Sequence, residues 1–214
     1  MATFSRAREL CERLGNPPEY LHVLFWLVTA AAIRGELVRA NEMVVDLIAL
    51  AEEHNDRAVV LNARRGHAGI LLFLGALAES VEEGRRAIEL FETSNEVEQL
   101  AARGAGQDAG AAVRAVLSWG LWLRGEVDEA VAQLAAALER ANAVKHPHTQ
   151  AYVLYYGAIL HALRGEPSIA QSYAERCFSV VRFAPGKRLN YGRCREMSRR
   201  ADIIHIYRRT KSPV

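Results

Sequence analysis

The residues in this chain whose types and spacing suit chemistry are few, and most have a plainer use. His146-Pro147-His148 sets two imidazoles one residue apart, a spacing that can hold a metal. No Cys or carboxylate beside them completes a four-ligand set, so a solvated turn is the simpler reading. Gly104-x-Gly106-x-x-x-Gly110 has the glycine content of a phosphate-binding loop. Its spacing departs from the dinucleotide pattern and no strand precedes it, which leaves a loop between helices. Gly186-Lys187 supplies the last glycine and the lysine of a P-loop, but Arg188 follows and Val181 stands where the first glycine belongs. His67 and His161 fall on apolar helical faces and read as buried or interfacial. No set of Ser, His and Asp can be assembled, so the sequence points away from an enzyme. What remains is aromatic: Trp119, Trp122, Tyr152 and Tyr155 are residue types that serve recognition.

A repeated turn must position these side chains. Ile33-Arg34-Gly35-Glu36, Leu74-Gly75-Ala76, Leu123-Arg124-Gly125-Glu126 and Leu163-Arg164-Gly165-Glu166 each follow an apolar run and precede an amphipathic one. Glycine reaches the left-handed backbone region needed just past a helix end. Arg34, Arg124 and Arg164 meet the negative end of the helix dipole, and Glu126, Asp128 and Glu129 open the next helix, where anions are favoured. Five residues after each glycine stands a small residue, Ala40, Ser80, Ala130 or Ala170, which lets two helices approach closely. The glycines are 40, 50 and 40 residues apart, a period that signals a stacked array. Helices are predicted at 18–34 and 37–54, 57–74 and 77–93, 110–124 and 127–144, and 149–164 and 167–181. Residues 94–110, a short extra helix and a glycine-rich loop, account for the longer spacing. Residues 1–16 read as the last part of an earlier repeat helix, and 182–214 as a basic tail outside the repeats.

Gly125-Glu126-Val127-Asp128-Glu129-Ala130, followed by Leu134 and Ala137, resembles the tetratricopeptide repeat. That family has a turn of the type Gly-Asp-Tyr-Asp-Glu-Ala, then a large apolar residue, then alanine. The fourth unit matches with Ala170 and Cys177. The first has Leu47 where alanine is usual, and the second has Gly84 where the large residue belongs. The resemblance implies an all-α, right-handed tetratricopeptide-like solenoid of about four helix pairs spanning 17–181. More narrowly, Arg6 to Gly15, Gly106-Gln107-Asp108-Ala109-Gly110, and His146-Pro147 leading into Ala151 to His161 resemble the helical repeat region of bacterial signalling proteins. Those proteins join a nucleotide-cyclase or kinase domain to an ATPase domain. The group commonly has proline where Ala109 stands here, and another helix pair where the tail begins; the tail therefore reads as truncation or a shifted frame.

In solenoids of this family the first helix of each pair lines the concave surface. Counted back from the turn glycine, Phe25, Arg65, Ala115 and Tyr155 are equivalent, as are Thr29, Gly69, Trp119 and Ile159. The expected partner-binding groove thus comprises Phe25, Asn62, Arg65, Trp119, Trp122, Tyr152 and Tyr155, with Gln107 and Asp108 on the loop. For any one aromatic, core packing between helices is the competing reading.

Composition agrees with this class. Of 214 residues 50% are hydrophobic and only 7% aromatic, with the Ala, Leu, Glu and Arg content that suits helices. No period-two run marks a strand. Cys11, Cys177 and Cys194 are widely spaced and odd in number, which suits reduced thiols in a cytosol. Arg6, Arg8 and Glu9 occupy the place of a signal peptide's apolar stretch. The longest apolar run, Val23 to Ile33, falls short of the ~20 residues of a membrane span. Net charge is +2 but uneven. Residues 182–214 hold ten basic and two acidic residues, so the body is mildly acidic and the tail basic. A solvated tail is a simpler reading than nucleic-acid binding. The sequence therefore predicts a cytoplasmic, non-enzymatic scaffold that needs no cofactor or metal and binds a protein or peptide rather than nucleic acid or membrane. The alternatives are an effector-binding segment of a bacterial transcription regulator, or a hydrolase or transferase with its site in the groove.

Overall fold

The computed structural model describes residues 19–103 and 106–183, together with Arg6 and Arg13. The expected N-terminal repeat helix and the tail beyond Phe183 lie outside the described residues. Those residues form nine helices and no strand: α1 (Glu19–Ile33), α2 (Leu37–Glu53), α3 (Arg57–Leu74), α4 (Leu77–Glu92), α5 (Glu96–Ala102), α6 (Ala109–Leu123), α7 (Val127–Val144), α8 (Pro147–Leu163) and α9 (Pro167–Phe183). Every helix predicted within the described residues is present, within two residues of its expected ends. The chain divides into two compact units, Met1–Ala105 and Gly106–Val214, at the glycine-rich segment. In the first, α1 packs on α2 and α3, and α3 also packs on α2, α4 and α5; in the second, α6 packs on α7 and α8, and α8 on α7 and α9.

The four turns within pairs share one geometry. Gly35, Gly75, Gly125 and Gly165 have φ of +81°, +81°, +87° and +77°. Each glycine N–H donates to the carbonyl three residues back, and the next N–H donates to the carbonyl five back, as in Gly125 to Trp122 at 3.0 Å and Glu126 to Leu121 at 2.9 Å. This Schellman pattern satisfies the last carbonyls of the helix. The arginines before the glycines do more than meet the helix dipole. Arg34, Arg124 and Arg164 pair across the turn with Glu36, Glu126 and Glu166 at 2.8, 3.0 and 2.8 Å.

The register read from the glycines also holds in the packing of the first three pairs, whereas Ala170 of the fourth is only half-buried. Ala40 and Ala130 are fully buried, and Ser80, 1% exposed, sends its hydroxyl to the Ala68 carbonyl at 2.7 Å. Leu47, Ala87, Ala137 and Cys177, each twelve residues past a turn glycine, are buried as well. Residues at these positions touch the partner helix, so their size sets how closely the two helices lie. Fully burying a Val or Leu, such as Val44 or Leu134, contributes about 1.5–3 kcal/mol.

The joints between pairs vary: the one at Asn55 keeps the same two backbone bonds, Asn55 N–H to the Glu52 carbonyl at 3.0 Å and Asp56 N–H to that of Ala51 at 2.9 Å, whereas Lys145 N–H donates to the Ala141 carbonyl four back at 3.1 Å. Asn55 and Lys145 take the left-handed conformation with φ of +56° and +54°. Asp56 caps α3 by accepting from Val59 N at 3.0 Å. Asn95 and Glu98 cap α5 reciprocally, each bond 3.0 Å.

Candidate functional site

In the second unit α6 and α8 bring Trp119, Tyr152 and Tyr155 together around a residue the sequence did not single out, Tyr156. The Trp119 ring lies 4.4 Å from that of Tyr156 and 6.3 Å from Tyr155, and Tyr152 lies 4.8 Å from Tyr156. Trp119 Nε1 donates to the Tyr156 carbonyl at 2.9 Å, and the Tyr152 hydroxyl donates to that of Tyr156 at 3.2 Å. Trp119 and Tyr156 are buried, whereas Trp122, Tyr152 and Tyr155 are half-buried. The cluster therefore has a packed base and a partly open face. Aromatic pairs at such separations contribute about 0.5–1.5 kcal/mol beyond area burial, which makes the exposed rings a rigid surface. The signal for Tyr156 was present: it sits four residues after Tyr152, on the same helical face.

The loop residues stand at the start of the same unit. Gln107 is half-buried and Asp108 is 1% exposed. Asp108 caps α6 by accepting from Ala111 N at 2.9 Å, and its two oxygens take Arg140 Nε and Nη2 at 2.6 and 2.9 Å. Its own N–H donates to Thr149 Oγ1 at 2.9 Å. Asp108 thus ties α6, α7 and α8 together. The two histidines of the 146–148 turn are employed likewise: His148 Nδ1 lies 2.7 Å from the Gly106 carbonyl, and His146 Nδ1 lies 3.0 Å from Thr149 Oγ1. Among the described residues no group of three His, Cys, Asp or Glu is placed to hold a metal.

In the first unit Phe25, Asn62 and Arg65 are all buried, at 7%, 6% and 9% exposure. The equivalent Ala115 of the second unit is fully buried too, so this register line runs through packing over much of its length. Phe25 stacks edge-on against the half-exposed Trp26 at 5.6 Å. Asn62 donates to the Ala58 carbonyl at 3.2 Å and to the Ala102 carbonyl at 2.9 Å, which fastens α5 to α3. Its polar side chain holds the inserted helix.

The first unit also carries a charged network that the sequence reading missed. Arg64 on α3 places Nη1 at 3.1 and 3.0 Å from the two oxygens of Glu83 on α4, and Nη2 at 2.6 Å from Glu52 on α2. His67 Nε2 lies 3.1 Å from Asn41 Oδ1, and its Nδ1 lies 3.6 Å from Glu83. Burial alone would raise the Glu83 carboxyl. His67 and the Arg64 guanidinium outweigh that and hold it at about 2. Arg64 itself is raised, its burial outweighed by Glu52 and Glu83. In the second unit Glu166 is held at about 2 by hydrogen bonds from Arg164 and His161. His161 in turn lies 5.0 Å from the Tyr173 ring. Both networks have their acid and base groups paired with each other across helices.

The architecture has counterparts among solved structures. A kinesin light chain-like protein of Podosopora anserina, built of nearly identical TPR-like repeats, superposes with a TM-score of 0.55 at 15% identity, covering 91% of each chain. A point variant of the same protein superposes with a TM-score of 0.55 at 16% identity over 90% of each. At this identity the likeness shows the fold: an all-α, tetratricopeptide-like repeat. No family model matches the chain, and no curated protein matches it.

Proposed function

We propose that this chain is a non-enzymatic scaffold that binds a protein or peptide partner through the aromatic face of its second unit. The half-buried Tyr152 and Tyr155, mounted on the packed Trp119–Tyr156 base with Trp122 on the neighbouring helix, carry this reading. Rigid aromatics with one face packed and the other open bind at small entropic cost, and they dominate interface hot spots. The burial of Phe25, Asn62, Arg65 and Asp108 suits them to the framework of the binding module. Repeat folds present such surfaces commonly, and the partner would lie across them as a helix or an extended peptide. The sequence resemblance supports a setting in the bacterial cytosol, as a regulatory segment of a signalling protein of the nucleotide-cyclase and ATPase type.

The test is capture of a partner from a bacterial lysate on the wild-type chain, then titration of that partner against wild type, Tyr155→Ala and Glu129→Gln. Tyr155→Ala is expected to weaken binding by about 1 kcal/mol or more with helicity unchanged, and Glu129→Gln to leave it intact. Equal affinity of wild type and Tyr155→Ala would remove the aromatic face from the site.

A further inference from the structure

A cavity of about 320 Å³ opens in the first unit, lined by Glu52, Asn55, Arg57, Val60, Arg64 and Leu90. It lies where the end of α2, the start of α3 and the end of α4 meet, and it shares no residue with the aromatic face. Its volume falls at the small end of the range of about 300–1,000 Å³ typical of small-molecule sites. The joint above α3 contributes Asn55 in the left-handed conformation, φ +56°. A non-glycine residue takes that conformation at some cost, and such positions recur at functional sites. The rest of the wall is of opposite charges over an apolar floor.

The charges decide what fits. Arg64 is held on both sides, by Glu83 and by Glu52, and only 19% of its side chain is exposed. Its charge is already met within the protein. Glu52 gives Oε1 to Arg64 and is 51% exposed, so it offers a carboxylate to an incoming cation. Arg57 is 42% exposed. Its Nη2 donates to Thr93 Oγ1 at 3.2 Å, and its Nε lies 3.3 Å from Glu98. The guanidinium has five N–H donors, so Nη1 can still receive a carboxylate. Val60 and Leu90 supply apolar contact between these groups. A simple anion here is opposed by Glu52 and a simple cation by Arg57. A neutral apolar molecule would strip water from charges without replacing it. A molecule carrying both charges and an apolar branch meets Glu52, Arg57, Val60 and Leu90 together.

We propose that this cavity binds a free α-amino acid with an apolar side chain, its ammonium on Glu52, its carboxylate on Arg57 and its side chain against Val60 and Leu90. The inference stands apart from the partner-binding reading, because the two use different units and either can fail alone.

Calorimetric titration of the full chain with L-leucine, L-leucinamide and N-acetyl-L-leucine tests it. L-leucine is expected to bind saturably in the millimolar range or tighter. Leucinamide lacks the carboxylate and N-acetyl-leucine the ammonium, and each is expected to bind at least about tenfold more weakly, as befits the loss of one charge-assisted contact. Glu52→Gln and Arg57→Gln are expected to weaken L-leucine binding by a similar factor. Because Arg57 also pairs with Glu98, its variant is melted in parallel; if it unfolds, Glu52→Gln, on a half-exposed side chain, decides the matter. Absence of saturable binding by L-leucine, or equal binding of L-leucine and leucinamide, overturns the proposal, and so does a Glu52→Gln protein that binds as wild type.

Discussion

Glu83 shares Arg64, Arg86 and His67 among its two oxygens, with contacts of 2.9 to 3.6 Å. The carboxyl is held at about 2 against an ordinary value of 4.5. A folded-state value below the unfolded one means that the stabilisation is fully present above about pH 4.5 and is lost as pH falls toward 2. Glu83→Gln is therefore expected to destabilise the protein by about 1–3 kcal/mol at neutral pH. The gap to wild type should close as the acid limb is descended. Thermal melts of both proteins across that range check this, and a gap that stays constant with pH would show that the carboxylate's charge is not what stabilises the fold. None of these pairings was visible in the sequence, for a physical reason. Apart from Arg86, three residues from Glu83 on the same helix, the partners are far apart in sequence: Arg64 and Glu83 are nineteen residues apart and Asp108 and Arg140 thirty-two, so their meeting depends on helix packing rather than on spacing along one helix. The Arg-Gly-Glu pairing at the turns is the exception. Its partners stand two residues apart in three places, and the glycine between them fixes the bend that brings them together.

At the scale of the helix, glycines again separate two kinds of position. Gly157 on α8 faces Tyr173 on α9 so closely that an added Cβ would lie 2.5 Å from two ring atoms. That ring is held by His161 on one side and by Arg176, 5.5 Å from its centre. Gly157→Ala is expected to destabilise by about 1–3 kcal/mol through overpacking. Gly69 on α3 has nothing within 4 Å of an added Cβ, and Gly69→Ala is expected to stabilise by about 0.5–1 kcal/mol through helix propensity alone. Chemical denaturation of the two variants checks both signs. Shifts in the same direction would mean that propensity, not contact, governs Gly157. Ala130→Leu, at a fully buried contact of α7, should cost about 1–3 kcal/mol by the same overpacking, and an unchanged melting temperature would contradict the register. These helices were legible because the four turns within pairs are punctuated: a glycine at the bend and a small residue five positions on in all four, with an arginine before and an acid after in three. The groove was less legible. The register that makes Phe25, Arg65, Ala115 and Tyr155 equivalent does not say which of them face a neighbour, and three of the four are buried.

Across the whole molecule, the two kinds of connection differ in how much they hold constant. Every turn within a pair repeats the same glycine, the same two backbone bonds and, in three cases, the same Arg–Glu bridge. The joints between pairs share no common formula, although the Asn55 joint repeats the two backbone bonds of the turns, Asn55 N–H to Glu52 and Asp56 N–H to Ala51, with asparagine in place of glycine. One is Asn55 with Asp56, one is Lys145 with Pro147, and the third holds α5 with its own cap and a glycine-rich run. The hairpin is thus the constant unit of the architecture, and the joints are where the connections vary. An inserted residue at a turn glycine would break two backbone bonds and displace a left-handed position, whereas the Lys145 joint and, among the described residues, the glycine-rich run hold no such pair of bonds to break, so added length fits there at least cost.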